Sequence, residues 1–229
     1  MVVVQEDLLA VSSSFSKIIK RGIGKGPESC YTVFTANRLY VYIRNFMTPA
    51  EEILTSKQEY NLVMKYRSSV ITALSVELVE EASQLLGISF NSFYQDWNFD
   101  TNSGVLLLVN NKNDSKVTLD ESFEQELFQC IRRVSSQLHK VPSELQVIKN
   151  TQSVCAIELK GTIYPLEHLL LDKGNEDLLL TYTREIKKGY LQHKRVFEDL
   201  FNRSMKDIFL MWDCNLNKQY LIFSFNRSE

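Results

Sequence analysis

The chain has 229 residues, 44% of them apolar, and 26 basic against 28 acidic side chains give a net charge of −2. That composition excludes a disordered chain, and the near-neutral balance excludes an overall positive field that would draw nucleic acid. No apolar run approaches the length of a bilayer span, and Met1-Val2-Val3-Val4 leads at once into Gln5, Glu6 and Asp7. Neither a transmembrane segment nor a signal peptide is therefore predicted, and the expected location is cytoplasmic.

In chain order, Leu8, Val11, Phe15, Ile18 and Ile19 keep helical spacing from Glu6 to Arg21. Gly22 is expected to stop this helix, behind Lys17, Lys20 and Arg21, which suit its carbonyl end. Ser29 to Thr35 and Arg38 to Asn45 read as two strands around a turn at Ala36-Asn37, rich in the β-branched and aromatic residues that strands favour. Thr48-Pro49-Ala50-Glu51 has the cap, the first-turn proline and the third-position acid of a helix start. A long helix is predicted from Glu59 to Leu86, with Val63, Val70, Leu74, Leu78 and Leu85 inward and Gly87 at its end. Strands near Ile88 to Asn98 and Val105 to Asn110 flank the turn Asp100 to Gly104.

The polar stretch Asn110 to Ser115 reads as a boundary, beyond which the same order returns. A helix is predicted from Asp120 to His139, then strands near Glu144 to Lys149 and Ser153 to Lys160. A short helix starts at Pro165, a long one runs from Asn175 to Arg203, and a hairpin uses Asp207 to Asp213 and Gln219 to Phe225. Landmarks recur at a separation of about 115 residues, as expected of duplicated domains rather than a stacked array: Lys25 and Pro27 with Lys140 and Pro142, Pro49 and Glu51 with Pro165 and Glu167, Trp97 with Trp212. The expected fold is α+β: two tandem α-β-β-α-α-β-β units, 1–113 and 114–229. Each would be a mainly antiparallel four-stranded sheet covered by helices on one face, and the two would be related by a pseudo-twofold axis.

Chemistry-bearing candidates are few. Arg21 to Pro27 offers Gly24, Lys25 and Gly26 as an anion nest, although the loop follows a helix and precedes a strand, the reverse of a P-loop. Tyr94 and Asp96 share one face of a strand, an unusual place for Asp, and Arg67 on the long helix is the expected partner of Asp96. Arg184, Lys187, Lys188, His193, Lys194, Arg195 and Arg203 make a basic run that reads as a solvated helix face. The four cysteines and three histidines show no ligand spacing, so no metal, cofactor or disulfide is expected, and no catalytic residue is assigned.

Lys25-Gly26-Pro27-Glu28-Ser29, Thr48-Pro49-Ala50-Glu51, the strand ending at Asp96 and the turn before Val105 together resemble the MpsC-like domain family, long catalogued as a bacterial domain of unknown function. The resemblance covers residues 6 to 111 and extends to 120–226 only as a degenerate second copy. The family pattern has a His-Ser-Asp triplet where this chain has Tyr94-Gln95-Asp96, so only Asp96 matches. The family label refers to a Na+-translocating, membrane-potential-generating system. The resemblance implies a non-enzymatic accessory or regulatory protein, peripheral to the inner face of the membrane, whose partner is a membrane transport complex, with self-association as a further expectation. The alternatives are a small-molecule or anion sensor at the Gly24–Gly26 loop and, last, an acid–base enzyme at Asp96.

Overall fold

The computed structural model describes residues 3–111, 117 and 119–226. The chain divides into two compact units, Met1–Asp114 and Ser115–Glu229; the expected boundary at 113/114 lies outside the described residues. The first unit runs α1 (Gln5–Ile23), β1 (Ser29–Thr35), β2 (Arg38–Arg44), α2 (Pro49–Ser56), α3 (Tyr60–Leu86), β3 (Ser92–Asn98) and β4 (Ser103–Val109). The second runs α4 (Glu121–Leu138), β5 (Glu144–Asn150), β6 (Val154–Lys160), α5 (Pro165–Asp172), α6 (Glu176–Gln192), α7 (Lys194–Phe201), β7 (Met205–Asp213) and β8 (Lys218–Phe225). Each unit has one four-stranded antiparallel sheet, in the orders β1-β2-β4-β3 and β5-β6-β8-β7. The fold is α+β, and the strand order is the same in both units.

In the first unit Val11, Phe15 and Ile19 of α1 and Ile71 and Leu78 of α3 close over Leu39, Val41, Leu106 and Leu108 of the sheet, all buried. The buried stripe of α3 is Val63, Arg67, Ile71, Leu78, Ala82 and Leu86, while Val70, Leu74 and Leu85, expected innermost, are partly buried at its edge. In the second unit Leu127, Ile131, Ile186, Tyr190, Phe197 and Phe201 cover Cys155, Ile157, Leu221 and Phe223.

Three local expectations need correction. The stop of α1 is Gly24, at φ 89°, its N–H donating to the Lys20 carbonyl, and not Gly22. Gly22 lies inside the helix because α1 and α3 approach closely there: a Cβ at that position would stand 2.5 Å from Leu74 Cδ1. The strand predicted from Ile88 begins only at Ser92. The helix predicted from Asn175 to Arg203 is two helices that part at His193, whose imidazole Nδ1 lies 2.9 Å from the Gly189 carbonyl. A side chain on the last turn's carbonyl competes with the helical ladder there.

Candidate functional site

The polar centre of the first unit is built on the start of α2. Thr48 caps the helix, its hydroxyl accepting from the Glu51 N–H at 3.3 Å. Glu51 answers by accepting from the Thr48 N–H at 2.8 Å and from the Thr48 hydroxyl at 2.9 Å. Such a box ordinarily sits in water. Here Glu51 is buried, because the Arg67 side chain comes down from α3 onto it: Nε donates to Oε1 at 2.8 Å and Nη2 donates to Oε2. Nη2 also reaches the Phe46 carbonyl at 3.3 Å. The guanidinium carbon stands 4.5 Å from the Phe46 ring centre and 5.2 Å from that of Trp97, which together make an aromatic wall. Burial lowers the Arg67 pKa, and the bond and charge of Glu51 oppose that shift. This forked, stacked geometry is what distinguishes Arg from Lys as a buried cation.

Arg67 is therefore the partner of Glu51 and not, as expected, of Asp96. The strand alternation decides it. Gln95 donates to the Ser68 carbonyl and Thr72 hydroxyl of α3 at 3.1 and 3.0 Å, so Gln95 and Trp97 face the helices. Tyr94 and Asp96 are on the opposite face of the sheet, buried, with an Asp96 oxygen accepting the Trp97 N–H at 2.8 Å.

The glycine loop differs in kind. Gly24 ends α1, and a Cβ on it would meet nothing within 4 Å. The Lys25 ammonium donates to the Met47 carbonyl at 2.6 Å, tying the loop to the entry of α2. Lys140 makes the same bond to the Ile163 carbonyl at 3.1 Å, without any glycine loop beside it. The six candidates thus fall into three places, with Gly24, Lys25 and Gly26 together, Arg67 in the helix-side core, and Tyr94 with Asp96 across the sheet.

Sequence reasoning missed a second device, which occurs in both units. Asn102, at φ 48°, accepts the N–H groups of Phe46 and Met47 on its side chain at 2.8 and 3.1 Å, and the Asn45 N–H on its carbonyl at 2.8 Å. Asn217, at φ 47°, accepts from Ile163 at 3.0 Å and from Gly161 at 2.9 Å. The turn of the second hairpin thereby holds the chain that enters α2 or α5. The signal available in the sequence was an Asn at matching positions of both turns.

The second unit departs at its polar centre. Glu167 stands where Glu51 does and accepts from the Tyr164 N–H, but Tyr164 has no cap oxygen to return the bond. Tyr182 is the residue at the spacing of Arg67: its phenol lies beside Glu167 and its ring lies edge-on to Trp212, centres 6.1 Å apart. Burial pushes the Glu167 pKa up, opposed by the Tyr164 N–H bond, the neighbouring Tyr182 hydroxyl and the nearby His168 and Lys140. Deeper in the unit, His139 Nδ1 donates to the Lys140 carbonyl at 2.9 Å and Nε2 accepts a hydrogen bond from the Tyr190 hydroxyl at 2.9 Å, while Tyr190 meets the Ser135 hydroxyl at 2.9 Å. Burial lowers the His139 pKa to about 4, so the ring is neutral.

The basic run of the last helices is engaged rather than simply solvated. Lys187 is buried over the Phe209 ring at 5.3 Å, Lys188 and Lys194 pair with Glu185 and Glu198, and Arg203 donates to the Thr151 carbonyl at 2.9 Å. All four cysteines are free, and burial raises Cys30 to about 11 and Cys155 to about 12. Among the described residues no group of three or more His, Cys, Asp or Glu could hold a metal ion.

Residues 8–112 match the family model described as Na+-translocating membrane potential-generating system (MpsC). The first unit is an MpsC-like domain. No curated protein and no solved structure matches the chain at a significant level.

Proposed function

We propose that this protein is a non-enzymatic accessory or regulatory component of a membrane transport system that generates a membrane potential, and that it binds its partner from the cytoplasmic side. The observation that carries this reading is the family match over residues 8–112. The polar residues Arg67, Glu51 and Lys25 are engaged in bonds that hold elements of the first unit together. Among the described residues no helix is long and apolar enough to cross a membrane. In this reading the spanning part belongs to the partner.

The test is affinity recovery of the tagged chain from gently solubilised native cells, followed by mass spectrometry. Reproducible recovery of an integral membrane transporter is expected, and it should be lost when the bait is unfolded by Glu51→Lys. Recovery of soluble proteins alone would sink the proposal.

A further inference from the structure

The corner between α2 and α3 is built like the corner between α5 and α6, bond for bond. In the first, the N–H groups of Lys57, Gln58 and Glu59 donate to the carbonyls of Ile53, Thr55 and Leu54 at 3.2, 2.9 and 2.9 Å. In the second, those of Lys173, Gly174 and Asn175 donate to Leu169, Leu171 and Leu170 at 3.0, 2.9 and 2.8 Å. Gln58, at φ 62°, and Gly174, at φ 70°, share the left-handed backbone of the turn. An apolar side chain stands within one helical turn on either side of each corner, Ile53 and Leu62 in one unit and Leu169 and Leu178 at the matching positions of the other. All four are more than half exposed. A single exposed leucine is ordinary, but a pair that recurs on a repeated corner marks a surface with a use.

Charge separates the two corners. In the first unit Glu52 and Glu59 are balanced by Lys57 and Lys65, all exposed. In the second, exposed Asp172, Glu176 and Asp177 stand where the first has Ser56, Tyr60 and Asn61, and Thr181 stands where it has Lys65. Leu166, in the place of Ala50, lies on the same face of α5 as Leu169 and is also more than half exposed. The α5–α6 corner is thus the more apolar of the two and carries three acids against Lys173.

We propose that the α5–α6 corner docks a basic amphipathic segment of the membrane partner. Its apolar side chains lie on Leu166, Leu169 and Leu178, and its Lys or Arg residues face Asp172, Glu176 and Asp177. This rests on the membrane partner proposed above and names the surface that meets it. Charge selects the occupant. Cytoplasmic segments beside membrane spans carry an excess of Lys and Arg. An anionic bilayer face repels the three carboxylates, and a second copy of the chain brings the same acidic corner rather than its complement.

The probe is a fluorescent amphipathic peptide of Leu and Lys, titrated with the full chain and read by anisotropy, beside a scrambled peptide of the same composition. Saturable binding of the amphipathic peptide alone is expected. It should weaken at least about tenfold in Leu169→Ser with Leu178→Ser. It should weaken too in Asp172→Asn with Glu176→Gln, and stay unchanged in Ile53→Ser with Leu62→Ser. These side chains are exposed, so the variants should melt with the parent; if the serine pair does not, the charge pair decides. Absent binding, or equal binding by every variant, overturns the proposal. So does flotation with phosphatidylglycerol vesicles, or concentration-dependent dimerisation, that Leu169→Ser with Leu178→Ser abolishes. Peptide binding at the corner without recovery of any membrane protein from native cells keeps the docking surface and defeats the membrane reading. A transporter recovered equally well with the serine pair as bait does the reverse.

Discussion

Arg67 and Glu51 carry charge into a core where neither touches water, and each is tolerable only because of the other. Removing one partner leaves an uncompensated buried charge. Arg67→Met is expected to destabilise the first unit by about 3–5 kcal/mol, and adding Glu51→Gln to it should recover a substantial part. Urea unfolding followed by Trp97 fluorescence in a Trp212→Phe background measures both, and a single-variant loss below about 1 kcal/mol would show the pair to be dispensable. His139 gives the corresponding test by pH. Its folded pKa of about 4 lies below its ordinary 6.5, so between those values the unfolded chain binds the extra proton. Stability of the second unit should therefore fall as pH drops from 6.5 towards 4, by a total on the order of 3 kcal/mol. Glu167, whose pKa is raised, acts in the opposite sense, since protonation on acidification relieves its burial. Subtracting the profile of His139→Gln from that of the parent isolates the histidine, and superimposable profiles would contradict this account.

At the scale of elements, the hairpin β3–β4 and the entry to α2 form one piece through Asn102. A replacement must supply both a left-handed backbone and an acceptor for two N–H groups. Asn102→Ala is expected to cost about 2–4 kcal/mol, from the αL strain and the stranded donors together, whereas Asn102→Asp should cost much less. Equal losses in chemical denaturation would rule out the acceptor role. Gly104 is constrained by a neighbour rather than by its own backbone: a Cβ there would run into the flat face of Trp97. Gly104→Ala should cost about 1–3 kcal/mol, since an indole ring cannot bend aside. Gly22 faces the flexible tip of Leu74 and should tolerate Ala better. The helix pair of the second unit solves the same packing problem the other way round, with Gly189 on α6 under Leu138 of α4.

For the whole molecule, the two units share a strand order but not the quality of their polar cores. The first satisfies its buried carboxylate through Thr48 and Arg67 and leaves one Arg67 nitrogen, Nη1, unmet, while the second leaves Thr162, Trp212, both amide atoms of Gln219 and one oxygen of Glu167 without partners. Each unmet group costs on the order of 1–3 kcal/mol. The second unit should consequently unfold at lower urea than the first. The chain contains two tryptophans, Trp97 in one unit and Trp212 in the other, so single-Trp variants separate the transitions. Coincident midpoints would show that the unmet groups carry no net cost. The family match covers the unit whose buried carboxylate is paired with an arginine.

Much of this was legible along the chain. Element order, the Thr48-Pro49-x-Glu51 start, the glycine after Leu86 and the recurrence of Pro165, Glu167 and Trp212 all rest on rules that act within a few residues, through periodicity, capping and turn conformation. The tertiary structure alone decided that Arg67 meets Glu51, that Asp96 faces away from the helices, that Gly22 is a packing residue and that α6 ends at His193. Those outcomes depend on which side of a sheet a helix covers and on side chains far apart in sequence, and local preference does not encode either. The candidate site followed the same division. The sequence by itself determined that both units keep a glutamate and a tryptophan at matching positions; only packing showed that one of the two pairs encloses an arginine and the other does not.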